Sequence, residues 1–202
     1  MTKSRVEAFS DGVFAVAITI LVFNVRIPQV PAGQLWHALG AQWPTYAAYV
    51  ASFLTIGIMW INHHAMFERI ARADRALLMF NLLLLMAIVL LPFPTEMMGD
   101  FIPRGGADAV AAATVYGALA VTISIFYALL WTYALRHPAL LIPGFDAEAA
   151  LRGSPRFLFG FVMYLACLPL AQFSPIGVVF LLAAAAIYYA FERLPEIDTE
   201  EN

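Results

Sequence analysis

Residues 5–28 read RVEAFSDGVFAVAITILVFNVRIP, an apolar helix long enough to cross a bilayer, with Arg5, Glu7, Ser10 and Asp11 near one end and Arg26 near the other. Ionisable side chains inside a membrane segment are costly, so they normally face a protein interior or a water-filled path. A plain anchor has no use for them, and the segment therefore points to function. Asp11 and Asn24 interrupt its apolar run, and no small-residue cleavage site follows, which separates it from a signal peptide. Pro28 pushes its predecessor out of helical geometry, so the first helix is predicted from about Arg5 to Ile27.

Composition extends that reading to the whole chain. At 62% hydrophobic and 12% charged over 202 residues, with a mean hydropathy of +0.80, there is too little polar surface to cover a soluble globule. The fold class is all-α, a polytopic membrane protein. A net charge of −3 gives no sign of a nucleic-acid partner. A lone Cys167 excludes a disulfide framework and a thiolate metal cluster.

Six apolar segments follow, at about 5–27, 44–68, 77–92, 110–135, 156–172 and 176–191, forming one transmembrane domain over 1–192. The second opens on Trp43-Pro44, as an interfacial anchor with proline in its first turn does. The third is expected to break at Pro92 and Pro94, leaving an outer loop through Gly105 and Gly106. The last two form a hairpin around Phe173–Pro175. Residues 193–202, with Glu196, Asp198, Glu200 and Glu201, make an acidic tail. A cytoplasmic N-terminus places Lys3, Arg5, Arg69, Arg72, Arg75, Arg136, Arg152, Arg156 and Arg193 inside and only Arg26 and Arg104 outside. That bias requires an even number of crossings, with both termini cytoplasmic, and fits a multi-pass protein of a bacterial inner membrane.

The arginine and the FSD run at the head of the first helix, Arg5, Phe9, Ser10 and Asp11, resemble the signature of the transmembrane protein 175 family of potassium channels. The following GVFAVAITILVFNVRIP is similar to that family's first helix in its small and branched apolar residues and closing proline. Members carry one or two six-helix units, and this chain has one. The resemblance implies a homotetramer around a central axis, with potassium as the permeant ion, no cofactor, and the lipid bilayer and its own copies as partners.

Residues three and four apart share a helix face, and Val16, Thr19, Ile20, Phe23 and Ile27 form such a stripe. Alone, the stripe reads as a packing face. The resemblance makes it the pore lining, with Val16, Thr19, Ile20 and Phe23 as the constriction, and hydrophobic rings of this kind gate by dewetting. No TVGYG filter is present, so selectivity is expected to be modest.

Asp11 precedes Val16 by five residues, about 140° round the helix at a step of ~100°. It reads as a structural latch rather than a pore site. The resemblance agrees, implying that Arg5, Phe9, Ser10 and Asp11 bind the first helix to a histidine of the second, His63 or His64, and to an asparagine of the third, Asn81. All of these stand near the cytoplasmic end of their helices. Adjacent helical residues diverge by about 100°, so only one histidine can face the partner. His64 and Glu68 have the i, i+4 spacing of a metal pair, but two ligands are too few, and no metal site is expected. Trp60, Trp131, Tyr133, Tyr188 and Tyr189 are expected in interfacial belts and packing.

Two rival functions can be weighed. A proton-coupled secondary transporter would use Asp11 with His63 or His64 as a relay, but such sites sit at discontinuous helices between internal repeats, and the chain shows neither. An enzyme would need a positioned nucleophile and base or a metal motif, and neither HExxH nor a nucleophile elbow occurs.

Overall fold

The computed structural model describes residues 2–152 and 155–191. Arg193 and the acidic tail lie outside the described residues, as do the side chains of Arg152, Arg156, Tyr188 and Tyr189. Among the described residues the regular elements are all helices, joined by loops and one isolated bridge between Ile70 and Leu141. The chain runs α1 (Lys3–Ile20), α2 (Leu35–Ala41), α3 (Trp43–Glu68), α4 (Arg75–Val89), α5 (Pro92–Phe101), α6 (Gly106–Arg136), α7 (Ala147–Arg152), α8 (Pro155–Phe173) and α9 (Pro175–Phe191). Four stretches are long and apolar enough to cross a membrane: Lys3–Asn24, Trp43–Glu68, Arg75–Arg104 and Gly106–Arg136. The helices α8 and α9 are apolar and separated only by Ser174.

The first helix is shorter than its sequence suggests. It gives way to a 3-10 turn at Leu21–Asn24, and Val25 is already extended. The reason lies across the bundle, where Asn24 and Arg26 are engaged by α5 and draw the chain off the helix axis.

The expected break at Pro92 is a joint rather than an end. Proline at positions 92 and 94 removes two backbone donors, and the carbonyls they would have met are taken one residue earlier, Ile88 by Leu91 N at 3.0 Å and Leu90 by Phe93 N at 3.1 Å. Both prolines then fall in the first turn of α5, where a missing N–H costs no intrahelical bond. The outer loop shrinks accordingly. Gly105 and Gly106, at φ +70° and +66°, reverse the chain in left-handed geometry that favours glycine, and α6 begins at once.

Packing places α1 on α3 and α4, α6 against α4, α5 and α8, and α9 against α3 and α8. Small residues on α6, Ala109, Ala112, Ala113, Gly117 and Ala120, let its neighbours approach closely. At Gly117 a Cβ would stand 3.0 Å from that of Cys167, so α8 sits where only glycine leaves room.

Polar groups inside this bundle are paired, as a bilayer demands. Ser52 Oγ lies 2.8 Å from Thr95 Oγ1 and 2.9 Å from Tyr116 Oη, joining α3, α5 and α6. Tyr127 donates to the Met59 carbonyl. At the end of the bundle that carries the α1 N-terminus, the loop after α3 is held to the loop after α6 by Ala71 N to Leu140 O at 2.7 Å and Ile142 N to Arg69 O at 3.1 Å. Asp74 caps α4, accepting from Leu77 N at 2.8 Å, and its other oxygen accepts from Tyr133 Oη at 2.7 Å. Of the aromatics expected in belts and packing, Tyr133 is thus an inter-helix tie and Trp131 is buried in the packing.

The bonds from Leu77 N–H and Tyr133 hold the Asp74 carboxyl below its ordinary value. A carboxyl lowered in this way stabilises fully above its unfolded value, near 3.8, and the contribution is lost as pH falls through the lowered folded value. Asp74→Ala should therefore cost about 1 kcal/mol at neutral pH, the usual size of an N-cap deletion. The offset in apparent melting temperature from wild type should narrow below about pH 4. An offset of equal size at neutral and acid pH would contradict this.

Candidate functional site

The helix α1 has two unlike faces. Val6, Ser10, Phe14, Ala17 and Leu21, spaced three and four apart, are buried against the bundle. On the opposite face Phe9 is 52% exposed, Val16 53%, Ile20 39% and Phe23 76%, with Arg5, Gly12 and Thr19 exposed among them. The only hydroxyl of that face, on Thr19, turns its hydrogen back to the helix, toward the carbonyls of Ala15 at 2.8 Å and Val16 at 3.0 Å. Its lone pairs are left facing outward.

The buried face carries a polar chain toward the N-terminal end of α1. Ser10 is fully buried, and His63 and Asn81 are 1% and 2% exposed. Asn81 Nδ2 donates to Ser10 Oγ at 3.0 Å, Ser10 donates in turn to the Val6 carbonyl at 2.9 Å, and Asn81 Oδ1 lies 2.8 Å from His63 Nε2. An amide oxygen can only accept, so Nε2 carries the proton. Aromatic packing decides which histidine joins. The His63 ring stacks on Phe67 at 4.4 Å and meets the edge of Phe14 at 5.3 Å, while His64 points out and faces Glu68 at 3.5 Å.

Asp11 stands beside this chain but outside it. Its carboxylate is exposed and accepts from Trp60 Nε1–H at 2.8 Å, and the Trp60 ring stacks on His64 at 6.1 Å. Of the residues named from the sequence for the polar network, the structure brings together Ser10, His63 and Asn81. Arg5 and Phe9 lie on the open face, and Asp11 and His64 meet through Trp60. Sequence reasoning placed Trp60 in a lipid belt and missed it as the partner of Asp11. The available signal was its position, three residues before His63 on the same helix face. Among the described residues no three His, Cys, Asp or Glu side chains converge as metal ligands would.

Comparison with known proteins adds an independent line. Residues 5–92 match the family model described as endosomal/lysosomal potassium channel TMEM175. A potassium channel of Streptomyces collinus is 46% identical over 194 residues, spanning 96% of this chain and 94% of that protein. The crystal structure of a TMEM175 homologue from Chamaesiphon minutus, described as a lysosomal potassium-selective channel, superposes with a TM-score of 0.81 at 36% identity, over 93% of this chain and 96% of that one. The human protein described as endosomal/lysosomal proton channel TMEM175 is 35% identical over 148 residues, which cover 69% of this chain and 29% of that protein.

Disturbing the surroundings of the two adjacent histidines should have unequal effects. Asn81→Leu strands the buried Nε2–H of His63 and should lower stability by about 1–3 kcal/mol. His64→Ala, at an exposed position, should stay within about 0.5 kcal/mol of wild type. Thermal unfolding of the purified protein in detergent measures both, and equal losses would contradict the assignment of His63 as the buried partner.

Proposed function

This chain belongs to the TMEM175 family, a family of ion channels rather than enzymes, and on that premise we propose that it is a potassium-permeable cation channel whose pore is lined by α1. Four copies surround one axis, each presenting the face of Val16, Thr19, Ile20 and Phe23. Each chain crosses the membrane six times, α8 and α9 supplying the last two crossings, with both termini in the cytoplasm. The nine-to-two bias of Lys and Arg supports that orientation and a bacterial inner membrane.

The observation that carries this reading is the open face of α1. The bundle covers the side of Val6, Ser10, Phe14, Ala17 and Leu21, and this side has no partner in the chain, yet it bears Arg5 and Thr19 and is bordered by Asp11. A lipid-facing surface has no use for a guanidinium, a hydroxyl and a neighbouring carboxylate. Copies of the same face around water make use of all three.

The rings of Val16, Ile20 and Phe23 form the hydrophobic constriction, where narrowing expels water and closes the path. Between them the four Thr19 oxygens, their hydrogens held by the backbone, offer a passing cation acceptors in place of part of its hydration shell. Side-chain hydroxyls replace that shell less completely than stacked carbonyl rings, so selectivity for potassium over sodium is modest. No cofactor is required. The Ser10–Asn81–His63 chain and the Asp11–Trp60 bond act as a structural latch that fixes the rotation of α1.

One observation favours a second permeant ion: the human relative is described as a proton channel. Proton conduction along the same face is the alternative, and the same assay separates the two.

Purified protein in liposomes should generate a potassium-driven potential under a potassium gradient. Phe23→Ala or Val16→Ala should raise the leak severalfold while the oligomer stays intact. A potential that follows only an imposed proton gradient would favour the second reading. Flux unchanged in both variants would contradict this pore face.

A further inference from the structure

Of the four proposed constriction residues, Val16, Thr19 and Ile20 belong to the α-helix proper, whereas Phe23 lies beyond its end on the 3-10 turn. Leu21 is buried in the same turn, but the Phe23 side chain has nothing to hold it, and Val22 and Ile27 beside it are exposed as well. The anchors nearest to it on the following segment reach the same helix. Asn24 Nδ2 donates to the Pro92 carbonyl at 2.9 Å, and the Arg26 guanidinium pairs with Glu96. Asn24 ends the 3-10 turn and Arg26 follows the extended Val25 (φ −88°, ψ 94°), so the two contacts bracket the point where the chain leaves helical geometry. Behind the segment lies a cavity of about 170 Å³, between Asn24 and Arg26 on one side and Gln42, Thr45, Gly99 and Asp100 on the other. Buried Leu21 anchors the start of the turn, and the two polar contacts hold the chain after Phe23, beside this cavity.

We propose that Asn24 and the Arg26–Glu96 pair form a two-point clasp that fixes the outer mouth of the pore by holding Phe23 in its ring. The proposal rests on the reading of α1 as the pore-lining helix, because only then does the place of Phe23 bear on flux. Asn24, Arg26 and Glu96 are positioning residues. They act on the mouth through Phe23 and leave the ring of Val16, inside the helix, where it is. The ion pair is exposed and screened by salt, whereas the Asn24 bond is half-buried and neutral, so the two points differ in strength and in response to ionic strength.

Two readouts test the clasp separately from the channel. In a Cys167→Ala background, a nitroxide label on Phe23→Cys reports the mobility of the segment in liposomes whether or not ions pass. Potassium flux is read on chains that keep Phe23. Glu96→Gln and Asn24→Ala should each sharpen the label spectrum and raise flux severalfold. The exchanged pair Arg26→Glu with Glu96→Arg should return both toward wild type, which loss of a merely structural residue would not allow. Should Glu96→Gln fail to assemble, Arg26→Gln, on the more exposed side of the pair, removes the same contact.

A label as immobile in Glu96→Gln and Asn24→Ala as in the parent would overturn the clasp. So would an exchanged pair as mobile as the single variants. Absence of potassium flux from wild type would overturn the channel reading alone, with label mobility still deciding whether the clasp exists.

Discussion

A bilayer interior offers no water to a polar group, so each must find its partner inside the protein. In this chain that requirement orients α1. Ser10, buried on one side of the helix, is met by Asn81 of α4, which is met by His63 of α3. Rotating α1 would break the Asn81–Ser10 bond and strand the buried Asn81 amide, a penalty on the order of 1–3 kcal/mol. Once that face is fixed inward, the face of Arg5, Gly12, Val16, Thr19 and Phe23 is left outward with nothing in the chain to cover it. The polar chain thus determines which surface is open, and the proposed function follows from what that surface carries.

The outer end of α1 obeys the same requirement by different means. Helical hydrogen bonding stops at Asn24, and the groups beyond it turn to α5, a short helix whose own existence depends on two prolines falling in its first turn. The two ends of α1 are therefore held differently, by α3 and α4 at the N-terminal end and by α5 together with α3 at the other. The joint at Leu90–Leu91 lies between the two sets of contacts.

Much of this was legible in the sequence. A long apolar segment with Arg5, Ser10 and Asp11 announces a membrane helix with a protein-facing side, and Asn81 and the histidine pair stand out as polar islands at one depth. The choice between His63 and His64 was not legible, because adjacent residues differ only in direction, and direction is decided by Phe14 and Phe67, which no local pattern marks. Trp60 read as a belt residue because tryptophan at a membrane boundary usually is one; its bond to Asp11 is a tertiary fact. Pro92 and Pro94 were read as an end, since proline ends more helices than it begins within a run of apolar residues. Their spacing, which puts both in one first turn, becomes visible only with the carbonyls of Ile88 and Leu90 in place. Asn24 and Arg26 stand out in the sequence as polar residues at the end of the segment, but their partners, the Pro92 carbonyl and Glu96, lie 68 and 70 positions away and left no local signal.

The central claim is that the open face of α1 meets water rather than lipid. Val16→Cys in a Cys167→Ala background, reconstituted in liposomes and treated with a small charged thiol reagent that cannot enter lipid, tests it most directly. The account predicts modification at Val16→Cys and loss of potassium flux on treatment, with the Cys167→Ala parent unaffected. A cysteine at position 16 that the reagent never reaches, in a protein that still conducts potassium, would show that the pore lies elsewhere.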